Sequence, residues 1–118
     1  GYFLQPTAVK VRSEESTLMR EETFGPVCSF IGYRSEEEAL ARINASPYGL
    51  AASVWSDNIR QALRYSEAID AGIVWVNMHT FLDPAVPFGG MKGSGIGREF
   101  GSAFIDDYTE LKSVMVRY

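Results

Sequence analysis

Between residues 27 and 77 the chain alternates three short apolar runs with two longer amphipathic stretches, and this alternation limits the folds it can adopt. Each apolar run has the length and the β-branched or aromatic content of a strand. Parallel strands need long crossover connections, usually helices, so the pattern predicts an α/β fold in which helices cover a parallel sheet. The three predicted strands are Val27–Tyr33, Leu50–Trp55 and Ile73–Asn77.

Start and stop signals predict a helix in each amphipathic stretch. Ser35 followed three residues later by Glu38 forms a capping box, and Pro47 ends the first helix. Asp57 is expected to cap the second helix, and Gly72 offers its C-terminal stop. The apolar positions that recur near helical spacing are Ala39, Leu40 and Ile43 in the first helix and Ile59, Ala62, Leu63 and Ile69 in the second.

Further elements are expected on both sides of this region. Phe3–Val11 looks extended, and a helical turn is expected near Leu18 and Met19. Residues 98–105 are predicted to be helical, and Ser113–Tyr118 is predicted to form a terminal strand. An unpaired apolar strand invites association. We therefore expect this last strand to pair either within the chain or with a neighbouring molecule.

Composition and charge exclude several classes of function. No apolar run approaches the ~18 residues that a membrane span requires, so no membrane partner is expected. The net charge is −4 and the basic residues are scattered, which argues against nucleic acid. One cysteine excludes an internal disulfide framework and fits a reducing, cytoplasmic location. The chain has 118 residues and opens on Gly1 without a leader, so we expect it to belong to something larger.

The stretch Pro87–Glu99 packs five glycines and one lysine into thirteen residues, which raises the question of a phosphate site. A phosphate cradle requires G-x-G-x-x-G after a strand, or G-x-x-x-x-G-K followed by Ser or Thr. The third glycine of the first pattern is replaced by Arg98, and Lys92 is followed by Gly93. Neither pattern fits. The glycines are instead expected to let the backbone turn sharply and approach neighbouring chain before a helix at Arg98.

Cys28 and His79 are the other candidates for chemistry. A nucleophilic thiolate needs a nearby base, cation or helix N-terminus, whereas Cys28 falls inside an apolar strand, so it is predicted to be a buried core residue. His79 follows a predicted strand, at the edge where α/β active sites lie, and either touches substrate or stabilises its loop. Without a second His or Cys, a metal site is not expected.

The pair Glu21 and Glu22 precedes Thr23-Phe24-Gly25-Pro26. Paired glutamates usually form a solvated face. The Phe-Gly-Pro sequence forces a turn, however, and this would place Glu22 on a fixed corner beside an aromatic ring, where it could accept hydrogen bonds from sugar hydroxyls. Both interpretations remain open from the residues alone.

In order and spacing, five motifs resemble the C-terminal part of the NAD(P)-dependent aldehyde dehydrogenase superfamily. The opening GYFLQPT is similar as well, so the resemblance covers essentially the whole chain. The five motifs are EETFGPV (21–27), PYGLAASVW (47–55), GIVWVN (72–77), PFGGMKGSGIGREFG (87–101) and YTELKSV (108–114).

The resemblance implies roles for individual positions. Glu22 would bind the nicotinamide ribose hydroxyls of NAD or NADP, because a carboxylate accepts two hydrogen bonds from vicinal hydroxyls, and Phe24 would pack near the nicotinamide. Phe88 would line the tunnel for a small-molecule aldehyde, and Leu82 and Asp83 would help shape its mouth. The stretch Asn77–Gly90 resembles members of the family that act on phenylacetaldehyde-like or other hydrophobic aldehydes, which implies a substrate of that class.

The resemblance also implies what this chain lacks. In the family a cysteine attacks the aldehyde and a glutamate assists hydrolysis of the thioester, and both lie upstream of these motifs. The Rossmann cofactor domain is absent, so the chain alone is expected to be inactive. Residues 1–112 would belong to the catalytic domain, and residues 113–118 would complete a sheet in the partner subunit of a homodimer or homotetramer. The alternative is a non-catalytic module that binds a partner through this terminal strand.

Overall fold

The chain forms six strands and four helices in a computed structural model that describes all 118 residues. The predicted α/β class is confirmed. The strands are β1 (Thr7–Lys10), β2 (Val27–Phe30), β3 (Tyr48–Gly49), β4 (Ala51–Val54), β5 (Ile73–Val76) and β6 (Met91–Lys92). The helices are α1 (Thr17–Arg20), α2 (Glu36–Asn44), α3 (Ile59–Ala68) and α4 (Phe104–Asp107). The chain divides into two compact units, Gly1–Arg42 and Ile43–Tyr118.

The first unit is built on a parallel pair of strands. β1 and β2 pair from Thr7 opposite Val27 to Lys10 opposite Phe30. α1 packs against β2, where the Ser29 hydroxyl donates to the Leu18 carbonyl at 3.1 Å. The predicted extended segment and the helical turn near Leu18 and Met19 are therefore confirmed, with shorter bounds than expected.

The capping box at the start of α2 is confirmed. The Glu38 backbone N–H donates to the Ser35 hydroxyl at 3.2 Å, and the Glu38 carboxylate accepts from the Arg34 backbone N–H at 2.7 Å. The guanidinium of Arg42 then pairs with Glu38 at 2.6 Å and with Glu14 at 3.0 Å. These contacts fix α2 to the segments that precede it in the chain.

The cap also makes the first unit sensitive to acid. The hydrogen bond from the Arg34 backbone N–H, followed by the nearby Arg42 guanidinium, holds the pKa of Glu38 below its ordinary value of 4.5. A carboxyl whose pKa is lowered by folding stabilises the fold at pH values above 4.5 and loses that effect as the pH falls through the lowered value. Glu38→Gln should therefore lower the thermal midpoint at neutral pH and flatten the decline of that midpoint as the pH falls below 4.5. Circular dichroism measures the midpoint. Glu110→Gln, outside any helix or strand, is the control, and equal pH profiles for the two variants would contradict the assignment.

The core of the second unit is a β-α-β arrangement. β4 and β5 pair in parallel from Ala51 opposite Ile73 to Val54 opposite Val76, and α3 connects them and packs against both. Ala62 on α3 is completely buried. The predicted strand-helix-strand sequence is confirmed here.

The ends of α3 are capped by two asparagines. The predicted cap at Asp57 is wrong by one residue, because α3 starts at Ile59 and the residue before it, Asn58, accepts a backbone N–H from the first turn at 3.3 Å. At the other end the Asn44 side chain accepts from the Asp70 backbone N–H at 2.9 Å and donates to the Ala68 carbonyl at 2.7 Å. This side chain caps the helix earlier than the predicted stop at Gly72.

The prediction that the three strands share one parallel sheet is wrong. β2 pairs with β1, β4 pairs with β5, and β3 pairs antiparallel with β6, so the strands form three separate two-stranded ladders. The strands are also shorter than predicted, because only four residues of each strand are paired in the two parallel ladders.

Cys28 is exposed, so its prediction as a buried core residue is wrong. Along β2, Val27 and Ser29 are half-buried while Cys28 and Phe30 are exposed, because α1 covers one face of the strand pair. That Cys28 is not the nucleophile stays a prediction.

The predicted helix at residues 98–105 is also wrong. Glu99 forms an isolated antiparallel bridge with Phe88, and Phe100 and Gly101 have φ values of 61° and 64°. Residues in this left-handed region cannot continue a right-handed helix. Only the four residues of α4 are helical.

Residues 113–118 form no strand within the chain. Their side chains are exposed, including Val114, Met115 and Val116. Pairing within the chain, the first of the two predicted alternatives, is therefore wrong. Pairing with a neighbouring molecule stays a prediction.

Candidate functional site

The loop that joins α1 to β2 carries Glu22 and Phe24. The Glu21 backbone N–H donates to α1 at 2.9 Å, and the Pro26 carbonyl accepts from Thr7 at 2.8 Å, so both ends of the loop are fixed. The Glu22 carboxylate is exposed and has no hydrogen-bond or ion-pair partner within the chain, and the ring of Phe24 is 92% exposed. The carboxylate is therefore free to accept hydrogen bonds from a ligand, and the ring is free to pack on one.

A second loop, residues 78–87, follows β5 in the second unit and is held by backbone carbonyls. The Trp75 indole N–H donates to the Phe81 carbonyl at 2.7 Å. Further along, the Gly101 backbone N–H donates to the Pro84 carbonyl at 2.9 Å. The 78–87 loop therefore has a defined path although it contains no regular secondary structure.

Leu82 and Asp83 lie between these two anchors. Leu82 is 42% exposed. Asp83 organises the turn that follows it, because its carboxylate accepts from the Ala85 backbone N–H and its carbonyl accepts from the Val86 backbone N–H, both at 2.9 Å. Sequence reasoning named Asp83 only as a mouth residue and missed this turn, although an aspartate before a proline is its usual signal.

The start of the 78–87 loop contains strained backbone. Asn77 and Thr80 have φ values of 54° and 59°, a conformation that side chains other than glycine rarely adopt. The Asn77 side chain compensates by bonding both the N–H and the carbonyl of Ser56, at 2.9 and 3.0 Å. The His79 ring packs edge-on against Trp75, with the ring centroids 5.1 Å apart. This contact supports the loop-stabilising alternative for His79. Strained backbone of this kind concentrates at functional sites.

Phe88 closes the 78–87 loop and is half-buried. Its backbone exchanges two hydrogen bonds of 2.7 Å with Glu99. The side chain borders an open groove of about 440 Å³. Apart from glycines, the groove is lined by Leu50, Phe88, Ser94, Ile96, Arg98, Glu99, Asp107 and Tyr108.

The glycines of residues 87–99 let the backbone approach neighbouring chain closely, as predicted. A Cβ built on Gly89 would overlap the Gly97 carbonyl oxygen, and one built on Gly90 would lie 2.7 Å from Ser94. The Arg98 guanidinium donates to the carbonyls of Gly90 at 2.7 Å and Gly97 at 2.9 Å. Sequence reasoning missed this clamp. An arginine that follows a run of glycines, whose carbonyls lack regular partners, is the signal that could have revealed it.

The five predicted site residues therefore occupy two loops. Glu22 and Phe24 share the loop before β2 in the first unit, whereas Leu82, Asp83 and Phe88 share one continuous stretch of the second unit. No group of three or more His, Cys, Asp or Glu side chains is placed to hold a metal ion. None of the four helices is long and apolar enough to cross a membrane.

Comparison with known proteins identifies the family. The model of the aldehyde dehydrogenase family matches residues 1–114. The chain belongs to this family. It is 45% identical over 117 residues to an aldehyde dehydrogenase of Davidiella tassiana, covering 99% of this chain and 24% of that protein. It is also 45% identical over 117 residues to 2-hydroxymuconic semialdehyde dehydrogenase of Pseudomonas putida, with the same coverage.

A solved structure agrees with these matches. The NAD+ complex of aldehyde dehydrogenase from Bacillus cereus superimposes with a TM-score of 0.89 at 46% identity, over 98% of this chain and 24% of that one. The chain therefore spans about a quarter of the length of the relatives that it matches.

Proposed function

We propose that this chain supplies about a quarter of an NAD(P)-dependent aldehyde dehydrogenase that oxidises an aldehyde to a carboxylic acid through a cysteine thioester. The observation that carries the proposal is the family match over residues 1–114 together with the NAD+-bound relative of the same fold. The nucleophilic cysteine, the glutamate base and the cofactor-binding Rossmann domain would lie in the remaining three quarters. We refer to that whole polypeptide as the complete enzyme.

The exposure of apolar side chains supports this dependence on further protein. The chain exposes 10,026 Å² at a mass of 13.1 kDa, whereas a self-contained monomer of this mass exposes about 6,400 Å². Only four apolar side chains are buried, and 28 large ones are exposed. Exposed apolar surface on this scale is typical of a face that other protein covers.

On the cofactor side, we assign Glu22 and Phe24. The Glu22 carboxylate has no partner within the chain and is free to accept from both hydroxyls of a nicotinamide ribose. Phe24 presents an uncovered ring to the adjoining planar group. NAD or NADP, when bound, supplies the hydride acceptor. The role of these two residues is to orient it.

On the substrate side, we assign Leu82, Asp83 and Phe88. The bond from Trp75 to the 78–87 loop and the Phe88–Glu99 bridge fix this stretch before any substrate binds. Leu82 and Phe88 contribute apolar surface and Asp83 shapes the turn, so a hydrophobic aldehyde is the favoured substrate class. A semialdehyde that carries a carboxylate is the natural comparison in a kinetic survey, since one relative is named for such a substrate.

We propose that residues 113–118 pair with a second subunit. Val114, Met115, Val116 and Tyr118 are apolar and exposed, and the segment has no strand partner within the chain. Unpaired segments of this kind associate readily with the edge of another sheet.

Aldehyde-dependent reduction of NAD tests the proposal, with the absorbance of NADH as the measurement. The complete enzyme should turn over a hydrophobic aldehyde, and the 118-residue chain alone should not. Cys28→Ser in the complete enzyme should leave kcat within about twofold, because no base or cation activates the exposed thiol. Turnover by the isolated chain would overturn the assignment of the nucleophile to another part of the enzyme. A complete polypeptide without activity on any aldehyde would favour the non-catalytic module.

A further inference from the structure

Trp75 connects the core of the second unit to the 78–87 loop. Its ring lies on β5, is only 8% exposed and packs edge-on against His79. Its indole N–H reaches past the end of the strand to the Phe81 carbonyl at 2.7 Å. The Trp75 side chain has only two rotatable bonds, and it holds the carbonyl of Phe81, six residues further along the chain.

The backbone between Trp75 and Phe81 does not follow an intrinsically favoured path. Asn77 and Thr80 both occupy the left-handed region, and such residues persist only where the surrounding structure determines their conformation. No backbone hydrogen bond within the chain ties residues 78–82 to the rest of the unit. The Trp75 hydrogen bond and the His79 ring contact therefore hold this part of the loop.

We propose that Trp75 is a positioning residue for the aldehyde: by holding the Phe81 carbonyl it fixes the neighbouring residue, Leu82, at the substrate mouth. This inference rests on the proposed function, because it requires the 78–87 loop to border the aldehyde. Trp75 itself need not touch the substrate. Trp75 orders Leu82 before the aldehyde binds, so the binding free energy of the aldehyde is not reduced by the entropy lost in ordering the loop.

The test is Trp75→Phe in the complete enzyme, which keeps an aromatic ring on β5 but removes the indole N–H together with part of the buried ring. Loss of one hydrogen bond and of the loop order that it maintains should raise KM for a hydrophobic aldehyde about tenfold. The value of kcat should change by less than about twofold, and KM for NAD should stay the same. Steady-state kinetics with each substrate varied in turn gives the three values.

Trp55→Phe is the matched control, because Trp55 is the only other tryptophan. It is 66% exposed and its indole N–H makes only a 3.4 Å contact with Ser53. It should leave all three constants unchanged. Equal changes in both tryptophan variants, or a fall in kcat without a rise in aldehyde KM, would overturn the inference.

A double-mutant cycle with Leu82→Ala separates positioning from general stability. If Trp75 acts through Leu82, the double variant should raise KM by little more than the larger single change; if the two act independently, the single changes should multiply. Multiplying effects would overturn the inference but leave the proposed function intact. A Leu82→Ala variant with unchanged aldehyde KM would overturn both the inference and the assignment of this loop to the mouth.

A measurement on the unmutated enzyme covers the case in which Trp75→Phe fails to fold. Hydrogen exchange of the two indole N–H groups, resolved by NMR, should be slow at Trp75, which is buried and bonded at 2.7 Å, and fast at Trp55, which is exposed and makes only a 3.4 Å contact. Equally fast exchange at both groups would overturn the inference.

Discussion

Gly72→Ala is expected to destabilise the complete enzyme by about 3 kcal/mol, at the upper end of the cost of overpacking. A Cβ built at Gly72 would overlap the Gly89 carbonyl oxygen and lie 2.7 Å from the Gly89 carbonyl carbon. Both are backbone atoms, so no side-chain rotation relieves the clash. Gly72 cannot retreat either, because its N–H donates to the Gly49 carbonyl at 2.9 Å. Denaturant unfolding measures the change in the free energy of unfolding.

Gly97→Ala is the matched control from the same glycine-rich region. A Cβ there meets nothing within 4 Å, so this variant should be neutral or more stable by about 0.5 kcal/mol through the unfolded state. The clash at Gly72 displaces Gly89, which is the residue next to Phe88. The aldehyde KM should therefore rise in Gly72→Ala and stay unchanged in Gly97→Ala. Similar unfolding free energies for the two variants would show that the close approach of Gly72 to Gly89 is not maintained in the protein.

The β4-α3-β5 arrangement was the most predictable part of the fold. Its strands are rich in β-branched and apolar residues, its helix repeats apolar positions at helical spacing, and both signals depend only on residues close in the chain. The capping box of Ser35 and Glu38 was predictable for the same reason. The position of the α3 cap was not, since Asp57 and the adjacent Asn58 have nearly equal preference for a cap.

The wrong predictions share a dependence on contacts between distant residues. The stretch after Arg98 has helical spacing, but the bridge from Glu99 to Phe88 draws the backbone into an extended path and Phe100 then turns left-handed. Burial of Cys28 depended on what covers the second face of β2, and within this chain nothing does. Pairing of strands across separate ladders is likewise set by the whole fold and not by local pattern.

The candidate site also combines features that the local sequence predicts with features that it does not. Carboxylate chemistry made Glu22 a plausible sugar ligand, but the choice between that role and a solvated face came from the family resemblance. The Trp75 anchor was not predictable, because its indole N–H donates to a loop carbonyl. Every residue has a backbone carbonyl, so the sequence does not indicate which carbonyl will accept this hydrogen bond.

Glu22→Gln in the complete enzyme is expected to raise KM for NAD by roughly tenfold or more. A hydrogen bond to a charged acceptor contributes about 1.5–3 kcal/mol, and the amide replaces one of the two carboxylate acceptors with a donor. The change should fall on cofactor binding, so the aldehyde KM at saturating NAD should move much less. Isothermal titration with NAD, in the absence of aldehyde, measures the loss of affinity directly.

Glu21→Gln distinguishes contact from charge. It removes the same charge one residue away, on a residue whose backbone N–H ends α1 and to which we assign no ligand contact. If the Glu22 carboxylate binds the ribose hydroxyls, only its own substitution should weaken NAD binding strongly, because a direct hydrogen bond depends on one atom's position. If the two glutamates act through the local field alone, both variants should weaken NAD binding to a similar and salt-sensitive extent. Similar, salt-sensitive losses in both variants would show that Glu22 belongs to a solvated acidic face and does not contact the ribose. The sequence alone left both of these alternatives open.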